Sequence, residues 1–322
     1  MARLSVYFDI RNRERAYRVS LTIARGRVQY GFVYRRNFRY AKIIQQISGG
    51  ERLKIGRQDR QNSAISTSNE ETILVRGRDL ARDLIGSLSF TEHFWLLVTG
   101  VMPAAAQRRI LDATLVAIAE HGMVPSVQTA RMTFAAAPEA LQGAVAAGIL
   151  GCGSVILGSS EAAGNFFAAI AQRIDTGVSS AEAASAIILE YRSAKRPIPG
   201  FGHPLHKQMD PRVQRLFEIA GEAGSSGRHV QIALEVETLL PELVGKRLAL
   251  NVSGAIPAVL LDAGYPLAAL KGIPILARTA GLIAHLLEEQ QRPIGFVMSH
   301  AAAQAIHYDG ELPAGFKPSK DT

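Results

Sequence analysis

The stretch PGFGHPLHKQMDPR, residues 199–212, sets two histidines, a lysine, an arginine and an aspartate around two glycines. Gly200 and Gly202 let backbone N–H groups come close to a ligand. His203 is of the type that shares or moves a proton near neutral pH. Arg212 carries a fork that fits a carboxylate or a phosphate, and Lys207 adds a point charge. Together these residues suit an anion that is held and worked upon. The alternative is a basic turn between two helices, with Arg212 paired only to Asp210, and with His206 and Lys207 facing solvent.

Further candidates lie apart in the chain. His121 closes a helical pattern, where it either meets a ligand or satisfies terminal carbonyls. Arg278 lies in an apolar run, where a bare charge is costly, so it calls for a ligand or a buried carboxylate. His285, seven residues along the same face, reads as a hydrogen-bonded core histidine. Cys152, the only cysteine, sits among small residues in GCGS and is either a packed thiol or a nucleophile. Ser253 either permits close helix contact or faces the chemistry. His300 and His307 lack the companions of a metal site, so no metal is expected.

These side chains need a helical frame. SFTEHFWLLVTG (89–100) has Thr91 as its expected N-cap and Gly100 as its stop. Proline opens PAAAQRRILDATLVAIAEHG (103–122), and apolar residues recur in it at helical spacing. The plan repeats in 159–177, 179–200, 210–224, 228–245, 256–265 and 274–291, each closed by Gly or Pro. The apolar stretch 140–158 reads as a helix buried in protein, because Gln142 and several glycines interrupt it. No uninterrupted apolar run reaches about 18 residues, so no membrane span is expected. TILVRG (72–77) reads as a short strand or turn. The fold class expected is all-α.

Charge divides the 322 residues unevenly. Residues 1–60 hold 15 of the 36 Lys and Arg and four of the 28 Asp and Glu, a net +11, whereas the remaining 262 residues carry a net −3. The leader also interleaves Tyr and Phe with Arg, a mixture that single-stranded nucleic acid can bind. A nucleic-acid role would rest on the leader alone, because the body is not basic. The blander reading is a partly β-like extension, packed on the body or disordered, joined by the polar linker 48–71. A lone cysteine excludes an internal disulfide and fits a reducing cytoplasm.

The glycine, aromatic, glycine, histidine run at 200–203 with DPR at 210–212 resembles the citrate synthase family, including its citryl-CoA lyase branch. EHGMVPSVQTAR (120–131), LNVSGAIPAVLLDAG (250–264), ARTAGLIAH (277–285) and RGRDLARDLIGSLSFTEHFWLLVTGVMP (76–103) are similar to further blocks of that family, in order. ALEVETL (233–239) is closer to the lyase branch. The resemblance implies a citrate synthase-like, all-α homodimer with no membrane segment, whose partners are an acyl-CoA and a dicarboxylate or oxo acid. Residues 1–65 would be the leader, 66–177 and 247–322 a large domain, and 178–246 a smaller one. His203 would bond the oxo or hydroxyl oxygen of an oxaloacetate-like half, Arg212 and Arg278 its carboxylates, and His121 would orient it. Lys207 would meet a phosphate of the coenzyme A thioester, which enters as substrate. Pro199, Gly200, Phe201 and Gly202 would lie against its adenine.

The chain departs from the family where carbon acidity is handled. The family sets an aspartate at the thioester α-carbon and a histidine at the enolate oxygen; here Ser253 and Leu157 occupy those positions. The lyase branch can carry an apolar residue at the second position, which does not explain the serine. Serine is a poor base without a partner, and losing a positioned base costs about 10²–10⁴-fold in rate. The expected activity is therefore citryl-CoA lyase-like cleavage, with Ser253 or water relaying a proton and His206 a further titratable group. A condensing enzyme of altered substrate and a non-catalytic CoA-ester or dicarboxylate binder are the alternatives.

Overall fold

The structure is a computed structural model that describes the backbone of residues 4–12, 15–24 and 27–33, and residues 62–153, 158–202 and 210–316 with their side chains. The chain divides into two compact units, Met1–Asn62 and Ser63–Thr322. The first holds an antiparallel three-stranded meander, β1 (Leu4–Asn12), β2 (Arg15–Ala24) and β3 (Arg27–Val33). Its register sets Phe8 opposite Val19 and Val19 opposite Phe32.

The second unit opens on a small antiparallel sheet, β4 (Ser66–Ser68), β5 (Ile73–Val75) and β6 (Arg78–Asp79), followed by a π-helical turn, Leu80–Leu84. The expected TILVRG strand is β5, and its turn puts Arg76 and Gly77 at positive φ. From there the unit is helical, as the sequence patterns require. The helices are α1 (Phe90–Thr99), α2 (Ala105–Ala119), α3 (Pro125–Ala136), α4 (Leu141–Leu150), α5 (Ser159–Ile174) and α6 (Ser180–Ser193). They continue as α7 (Pro211–Glu222), α8 (Arg228–Val244), α9 (Val252–Asp262), α10 (Gly272–Gln291) and α11 (Gly295–Ala305).

Several boundaries differ from the sequence expectation for identifiable reasons. Ser89, not Thr91, caps α1, because it forms a reciprocal capping box with Glu92. Thr91 lies inside the helix and donates to Asp112. The helix expected from residue 256 starts at Val252, because the Asn251 carboxamide accepts from the Ser253 amide and caps it there. Within the stretch 140–158 the helix runs Leu141–Leu150, residues 151–153 are not helical, and Leu150 is exposed. Helices α3 and α11 have weak apolar periodicity and were not anticipated.

At the centre lies α9, whose residues Gly254–Leu260 are all buried, packed by α2, α5, α7 and α8. Both of its ends are pinned. Asp262 accepts the amides of Gly227, His229 and Val230 and so caps α8 from outside. A second apolar cluster, with Val127, Phe134, Ala144, Leu282 and Leu286, joins α3, α4 and α10. Helix α10 is long and apolar enough to cross a membrane by length and composition. It buries Arg278 and Glu289 and packs against α2, α3 and α4, while Ile275, Ile283 and Leu287 are exposed.

Candidate anion-binding site

The PGFG turn is built against the start of α9. Gly200 and Gly202 have φ of +86° and +83°, a region open to glycine at little cost. A Cβ at Gly200 would stand 2.8 Å from the Gly254 Cα, so two backbones meet here without side chains between them. The Gly202 amide donates to the Ala249 carbonyl at 2.7 Å, and the Asn251 amide donates to the Gly200 carbonyl at 2.9 Å. The Asn251 side-chain amide donates to the Gly202 carbonyl at 2.6 Å. Phe201 is buried, its ring edge-on to Phe167 at 6.3 Å. The glycines therefore serve first to dock the turn. Gly200 and Phe201 are enclosed, while Pro199 and Gly202 are partly exposed.

Asp210 ties the next element to the same point. It is 0% exposed and caps α7 through the Arg212 amide. Its carboxylate also accepts from the Val252 amide at 3.0 Å, joining the N-termini of α7 and α9. Arg212 closes on both carboxylate oxygens, Nε at 2.9 Å and Nη2 at 2.8 Å. Burial by itself pushes the Asp210 carboxyl up, but the Arg212 ion pair and the two amides outweigh it and hold the carboxyl below its usual range. The pairing of Arg212 with Asp210 that the sequence left open is present through Nε and Nη2, and among the described residues Nη1 has no hydrogen bond. Ser253 lies in the first turn of α9, partly buried. His203, His206, Lys207 and Leu157 lie outside the described residues.

A second group surrounds Arg278 on α10. Its side chain is 3% exposed, and its Nε and Nη1 are buried without a hydrogen-bond partner among the described residues. Ser126, at the start of α3, buries its hydroxyl within hydrogen-bonding reach of Cys152. Buried polar groups without partners cost about 1–3 kcal/mol each, more for charged ones, so an unpaired guanidinium points to an anion. Cys152 lies within the electrostatic reach of Arg278 and donates to the Gly148 carbonyl at 3.4 Å. Burial pushes its thiol up, more than the Ser126 hydroxyl and the Arg278 guanidinium together lower it. That favours the packed-thiol reading over the nucleophile.

His121 is exposed on the loop between α2 and α3. Sequence reasoning did not single out Ser126 or the double role of Asp210. The latter had a signal, since Asp-Pro is the N-cap and first-turn pair of a helix. Among the described residues no group of three or more His, Cys, Asp or Glu could hold a metal.

A family model described as citrate synthase, C-terminal domain, matches residues 75–295. The citrate synthase of Heyndrickxia coagulans is 27% identical over 208 residues, which cover 63% of this chain and 53% of that protein. The chain thus spans about half the length of the curated relatives it matches. Among solved structures, citryl-CoA lyase from Hydrogenobacter thermophilus is 33% identical, with a TM-score of 0.70 over 80% of this chain and 97% of that one. ATP citrate lyase from Methanothrix soehngenii, solved with citrate and coenzyme A, shares the fold at 21% identity and a TM-score of 0.62, over 89% of this chain and 45% of that one.

Proposed function

Because the chain belongs to the citrate synthase family, we propose that it cleaves a 3-hydroxy-3-carboxyacyl-CoA, of the citryl-CoA type, into an acyl-CoA and an oxo acid. The observation that carries this reading is Arg278, a buried guanidinium with two nitrogens unpartnered among the described residues. A carboxylate of the oxo-acid half satisfies them, with Arg212 taking another through the edge that Asp210 leaves open. The nearly full-length likeness to a citryl-CoA lyase supports cleavage over synthesis.

In the proposed reaction His203 accepts the proton of the substrate hydroxyl. The carbon–carbon bond to the thioester α-carbon then breaks. Its electron pair passes to that carbon as the enolate of the acyl thioester, while the hydroxyl carbon becomes the ketone of the oxo acid. Water or Ser253 delivers the proton that completes the acyl-CoA. Ser253 cannot match a carboxylate as a base, so removing an α-proton for condensation is the harder direction. His121 orients the dicarboxylate, and Lys207 with residues 199–202 receives the coenzyme.

The proposal includes a homodimer in which residues 178–246 act as a smaller closing domain. Helix α4 supports the pairing: apolar but for Gln142, it buries only Ala144 and Gly148 and leaves Leu141 and Leu150 exposed. Apolar faces of this kind mark interfaces. Cytoplasmic residence is part of the same proposal.

A condensing role is the second reading, favoured by curated relatives that are themselves named citrate synthases. Incubation with citryl-CoA, following acetyl-CoA and oxaloacetate together, tests the proposal. Equal release of both supports cleavage. Citryl-CoA that is bound but recovered intact would leave a non-catalytic binder.

A further inference from the structure

Helix α10 carries a second polar system that the proposed reaction does not use. Arg131 on α3 is 2% exposed, and each of its three guanidinium nitrogens has a partner. Nε donates to Glu289 at 2.6 Å, Nη1 to Glu288 at 2.7 Å and Nη2 to the Arg292 carbonyl at 3.2 Å. Glu289 in turn accepts the Ile294 and Gly295 amides at 2.9 and 2.7 Å, fixing the start of α11. The remaining contact of Arg131 is Nη1 to His285 Nδ1, at 3.3 Å.

His285 then reaches outward. Its Nε2 lies 2.9 Å from Glu120 Oε2, and the other oxygen of Glu120 accepts the Gly122 amide. A guanidinium can only donate, so the network assigns Nδ1 as acceptor and places the ring hydrogen on Nε2, donated to the carboxylate. Helix α10 comes this close because residue 281 is glycine, where any Cβ would collide with the Ala119 carbonyl.

Residues 120–124 have no helix or strand of their own, and Gly122 is in the left-handed region at φ +69°. Their backbone is held from α10 through Glu120. Seven residues before His285, the same helix carries Arg278.

We propose that His285, held in this one tautomer, is a positioning residue that indexes the His121 loop to the helix bearing Arg278. It touches no substrate. Its contribution is to keep two ligand-facing side chains, from distant parts of the chain, in fixed relation. This rests on the proposed function only for what His121 and Arg278 hold, not for the linkage itself.

The test compares His285→Leu, which can neither accept nor donate, with His285→Gln, which can do both. ¹⁵N-imidazole spectra of the wild type should show Nδ1 without hydrogen and Nε2 with it. In His285→Leu, exchange of the Gly122 amide should accelerate by about tenfold or more, the value of one hydrogen bond to a charged group. The His121 ring resonances should shift as well. Oxaloacetate affinity by calorimetry should fall by a comparable factor, and His285→Gln should restore most of each. Should His285→Leu fail to fold, Glu120→Gln cuts the same chain at a half-exposed carboxylate and is read the same way. Unchanged Gly122 exchange and His121 resonances, or equal behaviour of the Leu and Gln variants, would overturn the proposal. If the wild type does not bind oxaloacetate, the proposed function fails, and the amide and imidazole measurements still decide this one.

Discussion

Arg131 and Arg278 are two equally buried arginines attached to the same helix packing, and the fold treats them in opposite ways. Arg131 projects from α3 onto α10 and finds two carboxylates, a carbonyl and a histidine nitrogen. Arg278 projects from α10 and finds no acceptor for Nε or Nη1 among the described residues. Among the described residues, one guanidinium is surrounded with acceptors and another, a few turns away, has two nitrogens without any. The first arginine belongs to stability, and in the proposed reaction the second meets a carboxylate of the substrate.

That contrast is open to direct attack. The largest effect should come from Arg131→Leu, which strands Glu289 in the core and costs about 3–5 kcal/mol of stability in urea denaturation. Replacing Arg131 and Glu289 together by apolar residues should cost much less, since no lone charge then remains buried.

Arg278→Leu should leave stability unchanged or raise it, because it removes an unpaired charge. Oxaloacetate affinity should drop by about 1.5–3 kcal/mol, roughly 10- to 150-fold, in a calorimetric titration. Equal stability losses for Arg131→Leu and Arg278→Leu would erase the distinction between them.

Arg212 stands between the two cases. Arg212→Ala should weaken oxaloacetate binding on the same scale and should also alter the acid limb of stability. The Asp210 carboxyl is held below its unfolded value, so its contribution is present above about pH 4. That contribution is lost as pH falls through the lower folded value. Without Arg212 the loss should begin at higher pH, read from thermal melts across pH 2–6. The smallest effect is expected from deleting residues 1–62, which form a compact unit of their own. Oxaloacetate affinity should not change.

Most of the helical frame was legible in the sequence, because Gly100 and Gly245 stop their helices in the left-handed conformation and Ser179 starts one with a capping box. Helices α3 and α11 were not legible. Their apolar residues do not form one continuous stripe, and tertiary contacts decide them, α3 against α10 and α11 against α3. The anion site was legible as residue types. Arg278 stood out because a lone charge in an apolar helix requires an explanation. Ser126 did not, since a serine behind a proline at a helix start looks like an ordinary first-turn residue. The Asp210 bridge depends on which helix N-terminus lies beside it, and no local pattern carries that.

The docking of the PGFG turn has an entropic consequence. Gly202 and Asp210 flank the segment that holds His203 and Lys207, and both are fastened to residues 249–252. The closure cost of the seven intervening residues, which for any loop grows only slowly with length, is therefore met by the fold before a ligand arrives. The two ends of the segment are anchored to the same few residues that begin α9. A displacement of that helix start would carry both anchors with Ser253, rather than opening a gap between them.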